Sequence, residues 1–399
     1  MFVETYREEG VLLADAFGVS YPETFSHPVL EYRALVSRLA AIDLTHWGAL
    51  RLTGSDRVSF LDAMITAEVA NLGPGEAAHA ALTTTKGKLV AELYVLSRES
   101  ELFVLVAQGD SAAVAATLEK HIVADDVELE DASARFGVLA VEGPRCRDLV
   151  WRLFPNAAIP MEALRFVDVD YQGIPVTILR ASVTGERGFQ MIVPADGIAR
   201  IRSYLVQGGR GLDLALAGRA AWNLRRVEAG LPWFGVDVED AFPKECRLDH
   251  LVSYDKGCFL GQETLARMHF RGHPNWLLEG LAPAGDAPGP LAPPASLALD
   301  DGALAAAARD AEALRADLSA LDLSRFCSAE LFAPGQASVA GAKSIGRITS
   351  AVFSPARGSL LALASVRAAH AQARDDIELI AGGEPVRLTL AELPLTTTS

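Results

Sequence analysis

The sequence is short of cysteine, of long apolar runs and of positive charge, and each shortage removes a class of function. The four cysteines, Cys146, Cys246, Cys258 and Cys327, form no close pair. That spacing supplies neither a disulfide framework nor a paired-cysteine metal motif, and free thiols in a reducing compartment are the simplest reading. No apolar run approaches the ~20 residues needed to cross a bilayer. The opening MFVETYREEG lacks the basic start and apolar core of a secretory signal. A cytoplasmic protein without a membrane partner is expected. Lys and Arg number 36 against 51 Asp and Glu, a formal net charge of −15. Nucleic acid is therefore not expected as the partner, because binding phosphates needs a basic face. A local basic pocket for an anionic ligand stays compatible with that charge. There is no internal repeat and no GxGxxG, Walker A, HExxH or GxSxG. Nicotinamide, nucleotide, zinc-protease and serine-hydrolase chemistries lose their main support.

What is present is a chain of 399 residues, half of them apolar and 22% charged. That is globular composition, long enough for a large core and more than one domain. The first 275 residues mix strand-like and helical stretches. A helix is expected from Val58 to Ile65, capped by Ser55 or Asp56. Strands are expected over Leu89–Leu96 and Leu102–Ala107, then a helix over Ser111–Ile122. Further strands are expected over Phe136–Val141, Val176–Leu179 and Gly188–Val193. A helix is expected over Ala215–Ala229, ended by Gly230 and Pro232. Without a regular βαβ repeat, this is an α+β pattern.

Composition changes near residue 282. Ala282 to Pro294 holds five prolines and two glycines, which marks a linker or irregular loop. An amphipathic helix is expected over Ala303–Leu323, as a packing element or an insertion. Short strands return at Ile345–Thr349, Leu360–Val366, Ile377–Ile380 and Val386–Leu390, a separate β-rich unit.

Four segments can carry chemistry. In Arg225-Arg226-Val227-Glu228-Ala229-Gly230 a carboxylate stands beside two arginines near a helix end. Such a carboxylate can pair with a ring N–H and a neighbouring amino group, the edge a pterin presents, while an arginine holds an acidic tail. The same residues also read as surface charges of a helix. In Lys256-Gly257-Cys258-Phe259-Leu260-Gly261-Gln262-Glu263, glycines flank a thiol that a nearby lysine can push toward thiolate. A buried structural cysteine in a turn is the alternative, and one cysteine makes no metal site. In Lys86-Gly87-Lys88-Leu89-Val90-Ala91-Glu92, a turn feeds a strand whose Glu92 can manage a proton if it faces a cleft. In Thr184-Gly185-Glu186-Arg187-Gly188-Phe189-Gln190, structural and ligand-lining roles weigh equally. The histidines, His46, His79, His269 and His273 among them, are scattered and read as structural or solvated.

In order along the chain, these segments resemble the glycine cleavage T-protein superfamily of aminomethyltransferase-like folate proteins. Ile42-Asp43-Leu44-Thr45-His46 with Gly54-Ser55-Asp56 is similar to its D-x-[ST]-H … G-x-D opening. Thr184 to Gln190 is similar to its T-G-E-x-G-[FY]-E turn, and Arg226 to Gly230 to its R-x-E-x-G helix end. Ile348-Thr349-Ser350 with Ser354-Pro355 is similar to the T-S … S-P of its C-terminal domain. The likeness spans nearly the whole chain, apart from roughly 300–335. Lys256 to Glu263 further resembles the K-G-C-[FY]-x-G-Q-E motif of YgfZ-type folate-binding proteins, a branch that supports iron–sulfur cluster assembly or repair.

The resemblance implies interwoven α+β subdomains around a central opening over residues 1–277. A C-terminal β-barrel domain over 278–399 would follow, with the Pro-rich loop and Ala-rich insertion at about 283–335. It implies tetrahydrofolate or a one-carbon derivative as cofactor, and iron–sulfur assembly or client proteins as partners. Glu228, Arg225, Arg226, Lys256 and Gln262 become the candidate cofactor-binding residues, and Cys258 and Glu92 the candidate catalytic ones. No metal ligand is expected. The rival function is folate-dependent one-carbon transfer, by an aminomethyltransferase or demethylase, with Glu92 as the acid. Three positions depart from the superfamily pattern. Glu92 stands where transferases carry Asp, Val183 where an aromatic residue is usual, and Gln190 where the turn ends in an acid. A carboxylate one methylene longer is displaced by about 1 Å, which transition-state placement tolerates poorly.

Overall fold

A computed structural model describes residues 3–16, 19–285, 294–321, 323, 326–339, 341–381 and 383–394. Two large sheets, a barrel and a two-stranded ribbon, Leu12–Ala16 with Val19–Thr24, organise the chain. The larger sheet orders its six strands as Phe166–Tyr171, Ile174–Leu179, Gly188–Pro194, Phe136–Glu142, Leu39–Asp43 and Leu214–Ala217. The other orders five as Ala77–Thr83, Leu89–Ser97, Leu102–Gln108, Gly48–Thr53 and Glu128–Asp131. Side chains alternate across a strand, so each sheet has two faces to bury. Ile42, Val138, Ala140 and Ile192 from the first meet Tyr94, Leu96, Phe103 and Leu105 from the second in one shared core. The outer faces are closed by helices. Leu93, Val95 and Val104 pack with Phe60 and Leu61 of helix Arg57–Met64 and with Val114 and Leu118 of helix Ser111–Glu119. Val141 and Met191 pack with Leu149 of helix Cys146–Leu153 and Ile201 of helix Ile198–Gly208.

The strands Trp276–Pro283, Ser359–Arg367, Gly346–Ser354, Glu330–Phe332, Ile377–Ala381 and Glu384–Ala391 close into a barrel in that order. Closure leaves no unpaired edge. The α+β class and the C-terminal barrel expected from sequence are both found.

Three local expectations are corrected. The helix expected over Ala215–Ala229 is a strand, Leu214–Ala217, followed by a helix, Arg219–Ala229. Ala and Leu favour helix locally, but Leu214–Ala217 completes the larger sheet in parallel register with Leu39–Ile42. Gly218 makes the junction. Its amide donates to buried Glu31 Oε2 at 2.8 Å, and a Cβ there would lie 2.4 Å from the Glu23 carbonyl oxygen. The single helix expected over Ala303–Leu323 is two, Asp301–Ala307 and Ala311–Leu321. Asp310 Oδ1 accepts from the amides of Glu312 and Ala313 at 2.9 and 3.2 Å and starts the second. Leu304 and Leu321 are buried in the barrel core, so the Ala-rich stretch packs on the barrel. Neither Ser55 nor Asp56 caps helix Arg57–Met64. Asp56 Oδ2 instead accepts from the Asp126 amide at 2.8 Å, and the Ser55 hydroxyl donates to Asp126 at 2.8 Å. Most of the Pro-rich linker, 286–293, lies outside the described residues.

The Gly218 junction yields a test. Gly218→Ala forces the new methyl against backbone, so stability should fall by about 1–3 kcal/mol, read as a lower urea midpoint.

Candidate functional site

The shared core is not filled. Between the sheets and helix Arg219–Ala229 lies a cavity of about 950 Å³, its open mouth included. Its walls are aromatic: Tyr21, Trp47, Tyr94, Trp222 and Trp233. Trp47 stacks over Tyr94 at 6.0 Å and 12°, and Trp222 meets Trp233 edge-on at 5.0 Å. The Trp222 indole N–H donates to the Val183 carbonyl at 3.2 Å, which fixes that ring. Flat walls of this kind suit a planar heterocycle.

Polar groups gather in two places. At one, Glu92 from Leu89–Ser97 lies 2.7 Å from His79 Nε2 and accepts from Gln108 Nε2 at 2.5 Å. Register explains the meeting, since Ala81 pairs with Glu92 and His79 with Tyr94 on adjacent strands. Burial alone would raise the Glu92 carboxyl, but His79, Gln108 and His250 together hold it below its ordinary value. His250 is lowered by burial, then by His79. At the other, Asp43 and His46 face the Arg219–Glu23 ion pair of 2.6 Å. Burial drives His46 down to about 4, against the pull of Asp43, so it is neutral at pH 7.

Behind the wall formed by Ser182 and Val183, fully buried Glu142 accepts from the Val183 amide at 2.6 Å, from Ser182 Oγ at 3.1 Å and from Thr184 Oγ1. Burial lifts it to about 7, opposed by these hydrogen bonds. Beside it is Gln190, fully buried, on the strand face shared with Ala140 and Leu179. Neither its amide oxygen nor its nitrogen meets a hydrogen-bond partner among the described residues. The Tyr94 phenol is its neighbour, pushed well up by burial first, then by Glu92 and Glu142, with the Gln190 amide opposing.

Of the seven sequence candidates, the structure brings only Glu92 to the cavity. Glu228 lies outside this cavity lining. It points away from the cavity and is wholly enclosed, accepting from Tyr32 Oη at 2.6 Å, Ser354 Oγ at 2.5 Å and the Ala356 amide at 3.1 Å. Burial raises its carboxyl despite those bonds. Tyr32 of helix Pro28–Ser37 holds one oxygen, and Ser354 and Ala356 of the barrel hold the other. Arg226 also lies outside it. Its guanidinium is buried against Asp237 at 2.7 Å, Ser350 Oγ at 2.8 Å and Asn223 Oδ1 at 2.8 Å. Arg225 pairs with Glu186 at 2.9 Å. Lys256 does not attend the Cys258 thiol. Its ammonium caps the end of helix Arg57–Met64 through the carbonyls of Asp62, Ile65 and Ala67, at 2.5, 3.2 and 2.7 Å. Gln262 closes its own loop onto the Gly257 carbonyl at 3.4 Å. Cys258 is exposed, whereas Cys146 and Cys246 are buried. Of the turn Thr184 to Gln190, Thr184 and Glu186 are structural, and Gln190 lies behind the cavity. Among the described residues no group of three His, Cys, Asp or Glu is placed to hold a metal ion, and no helix is long and apolar enough to cross a membrane.

Sequence reading missed His79, Gln108, His250 and the tryptophans. They lie on separate elements with no shared spacing. Gln190 alone carried a signal, as an amide where the turn pattern ends in an acid.

Comparison with known proteins matches residues 2–256 to the GCVT N-terminal domain and 321–396 to the glycine cleavage T-protein C-terminal barrel domain. An aminomethyltransferase of Chlorobium phaeobacteroides is 30% identical over 265 residues, 65% of this chain and 72% of that one. One of Halalkalibacterium halodurans is 27% identical over 69% of this chain and 76% of its own. In fold, the chain is similar to the crystal structure of glycine cleavage system aminomethyltransferase T from Bartonella henselae. The TM-score is 0.79 over 98% of this chain and 96% of that one, at 19% identity.

Two outcomes follow from the buried acids. Glu228→Ala strands the Tyr32 and Ser354 hydroxyls and should cost about 3 kcal/mol of stability, while the remaining folded protein keeps its cavity and its ligand affinity. Glu142, raised in the fold, contributes stability that is full below pH 4.5 and is lost as pH rises through about 7. Denaturation midpoints of Glu142→Gln should therefore exceed those of the wild type above pH 7 and converge with them near pH 5.

Proposed function

This chain belongs to the glycine cleavage T-protein family, and from that premise we propose that it transfers a one-carbon unit to or from tetrahydrofolate bound in the aromatic cavity. The observation that carries the reading is the ionised Glu92, held by His79 and Gln108 inside an aromatic-walled cavity. Tetrahydrofolate is the family's one-carbon carrier, and its amine nitrogens supply the nucleophile.

The residues present fit such a ligand. The Trp and Tyr walls suit a flat ring system. The unpartnered Gln190 amide is a buried donor and acceptor side by side. A buried amide left unmet costs about 1–3 kcal/mol for each group, so a ring edge carrying an acceptor next to a donor is the complement it lacks. Tyr94 lies between that amide and the cavity lining. Arg219, paired with Glu23, is the cation of the cavity wall and suits an anionic tail. The walls also keep bulk water from Glu92, which strengthens its electrostatic hold on a protonated neighbour.

A second reading, YgfZ-type support of iron–sulfur cluster assembly, rests on the motif around Cys258 and on the exposure of that thiol. It stands behind the first because the relatives carry the name aminomethyltransferase, and because Lys256 is committed to a helix end rather than to the thiol.

Titration with tetrahydrofolate should quench the fluorescence of Trp47, Trp222 and Trp233 saturably. Gln190→Leu should weaken binding by about tenfold, one unmet hydrogen-bonded edge. Incubation with an aminomethyl or N-methyl donor should yield a folate carrying the one-carbon unit, and Cys258→Ser should leave binding and yield within twofold. A folded wild type that neither quenches nor turns over overturns the folate reading. Binding without turnover, together with loss of iron–sulfur enzyme activity in Cys258→Ser cells, replaces the first reading with the second.

A further inference from the structure

We propose that His79, through its Nδ1, is the group that accepts the substrate proton in this cavity, and that Glu92 is its positioning partner rather than the base itself. The inference rests on the one-carbon reading above and assigns the proton within it.

Each oxygen of Glu92 is already engaged by one partner. Its Oε1 faces His79 Nε2 at 2.7 Å and its Oε2 accepts from Gln108 Nε2 at 2.5 Å. The Gln108 amide cannot be turned over, because its Oε1 accepts from the Phe234 amide at 2.9 Å. Its nitrogen must therefore face Glu92, and Glu92 must act there as an acceptor. An ionised Glu92 then assigns the imidazole: Nε2 carries the hydrogen and Nδ1 holds the lone pair. Among the described residues Nδ1 has no hydrogen-bond partner. The side chain is 22% exposed and lines the cavity.

The ring is held for this work. It stacks on Tyr94 at 4.3 Å and 4°, so it cannot swing away from Glu92 without losing that face. The charged and titratable groups around it are Glu92 and Tyr94 from Leu89–Ser97, and His250 from the short turn Asp249–Leu251. His250 sits edge-on at 5.9 Å with Asp249 beside it. Farther along the cavity lining are Asp43, His46 and Arg219. Glu92 is the carboxylate that faces the ring, and burial lowers His250 beside it. A carboxylate held below its ordinary range is a poor base, whereas an imidazole backed by a carboxylate is a good one.

The step balances without a co-reactant. An N–H bond of a protonated amine breaks, and its electron pair stays on the amine nitrogen as the nucleophilic lone pair. The proton forms the Nδ1–H bond of His79. The resulting imidazolium is stabilised by Glu92 and returns its proton to water at the open mouth.

The test compares wild type with His79→Asn and Glu92→Gln in three measurements: tetrahydrofolate binding, the pH profile of kcat, and ¹⁵N chemical shifts of the His79 ring in the unliganded protein. Wild type should show the Nε2-protonated tautomer, and Glu92→Gln should lose that tautomer preference. His79→Asn should bind folate within threefold, lose about 100-fold in kcat with KM nearly unchanged, and lose the acidic limb of the profile. Glu92→Gln should bind folate and lower kcat with KM nearly unchanged. A His79→Asn variant with near-normal kcat and an intact limb overturns the inference and leaves the one-carbon reading standing. An Nδ1-protonated His79 overturns it whatever the turnover. A wild type that binds folate but turns over no donor overturns the one-carbon reading and this inference with it.

Discussion

The buried ion pair between Arg226 and Asp237, 2.7 Å long and almost unexposed, is the joint on which the molecule depends. A charge pair taken out of water is tolerated only when the remaining donors and acceptors are also met. Here they are. Arg226 reaches Asn223, the Leu231 carbonyl and Ser350, while Asp237 accepts from the Trp233 amide, from Ser350 and from Thr349. The pair thus ties helix Arg219–Ala229, the segment after it and barrel strand Gly346–Ser354 into one unit. Glu228, two residues on, repeats the connection through Ser354 and Ala356.

The cavity inherits its shape from this joint. Helix Arg219–Ala229 turns Arg219 and Trp222 into the cavity and Arg226 and Glu228 toward the barrel. The Arg226 guanidinium lies 5.6 Å from the Trp222 ring centre and 5.3 Å from that of Trp233. Two walls of the ligand space are therefore backed by the same cation that holds the barrel. Rigid support one layer behind a site is what keeps reactive groups in register.

Much of the fold was legible in the sequence. Runs such as Leu89–Leu96 and Leu102–Ala107 are apolar nearly throughout, as strands buried on both faces are, and the structure extends each by one residue. Leu214–Ala217 was not legible, because its helix-favouring residues are overridden by a distant partner strand. The site was legible at Glu92 and hardly elsewhere. His79 becomes informative only when pairing register sets Glu92 opposite Ala81, two residues from His79 on the same face, and thirteen residues of separation conceal that. Arg226 and Glu228 form a conspicuous pattern for a different reason. Charges that must be buried and fully satisfied tolerate few replacements, so a motif can mark a joint as strongly as it marks a ligand contact.

The barrel has a consequence for how the chain comes into being. Strand Trp276–Pro283 pairs with Glu384–Ala391, about a hundred residues later in sequence. On a ribosome the two sheets emerge first, while Ser350 and Ser354 are still unmade. During that interval Arg226, Asp237 and Glu228 have no partners from the barrel and remain hydrated. The cavity lining, drawn entirely from residues 21–250, is then already synthesised, while the buried charges beside it still wait for Thr349, Ser350 and Ser354.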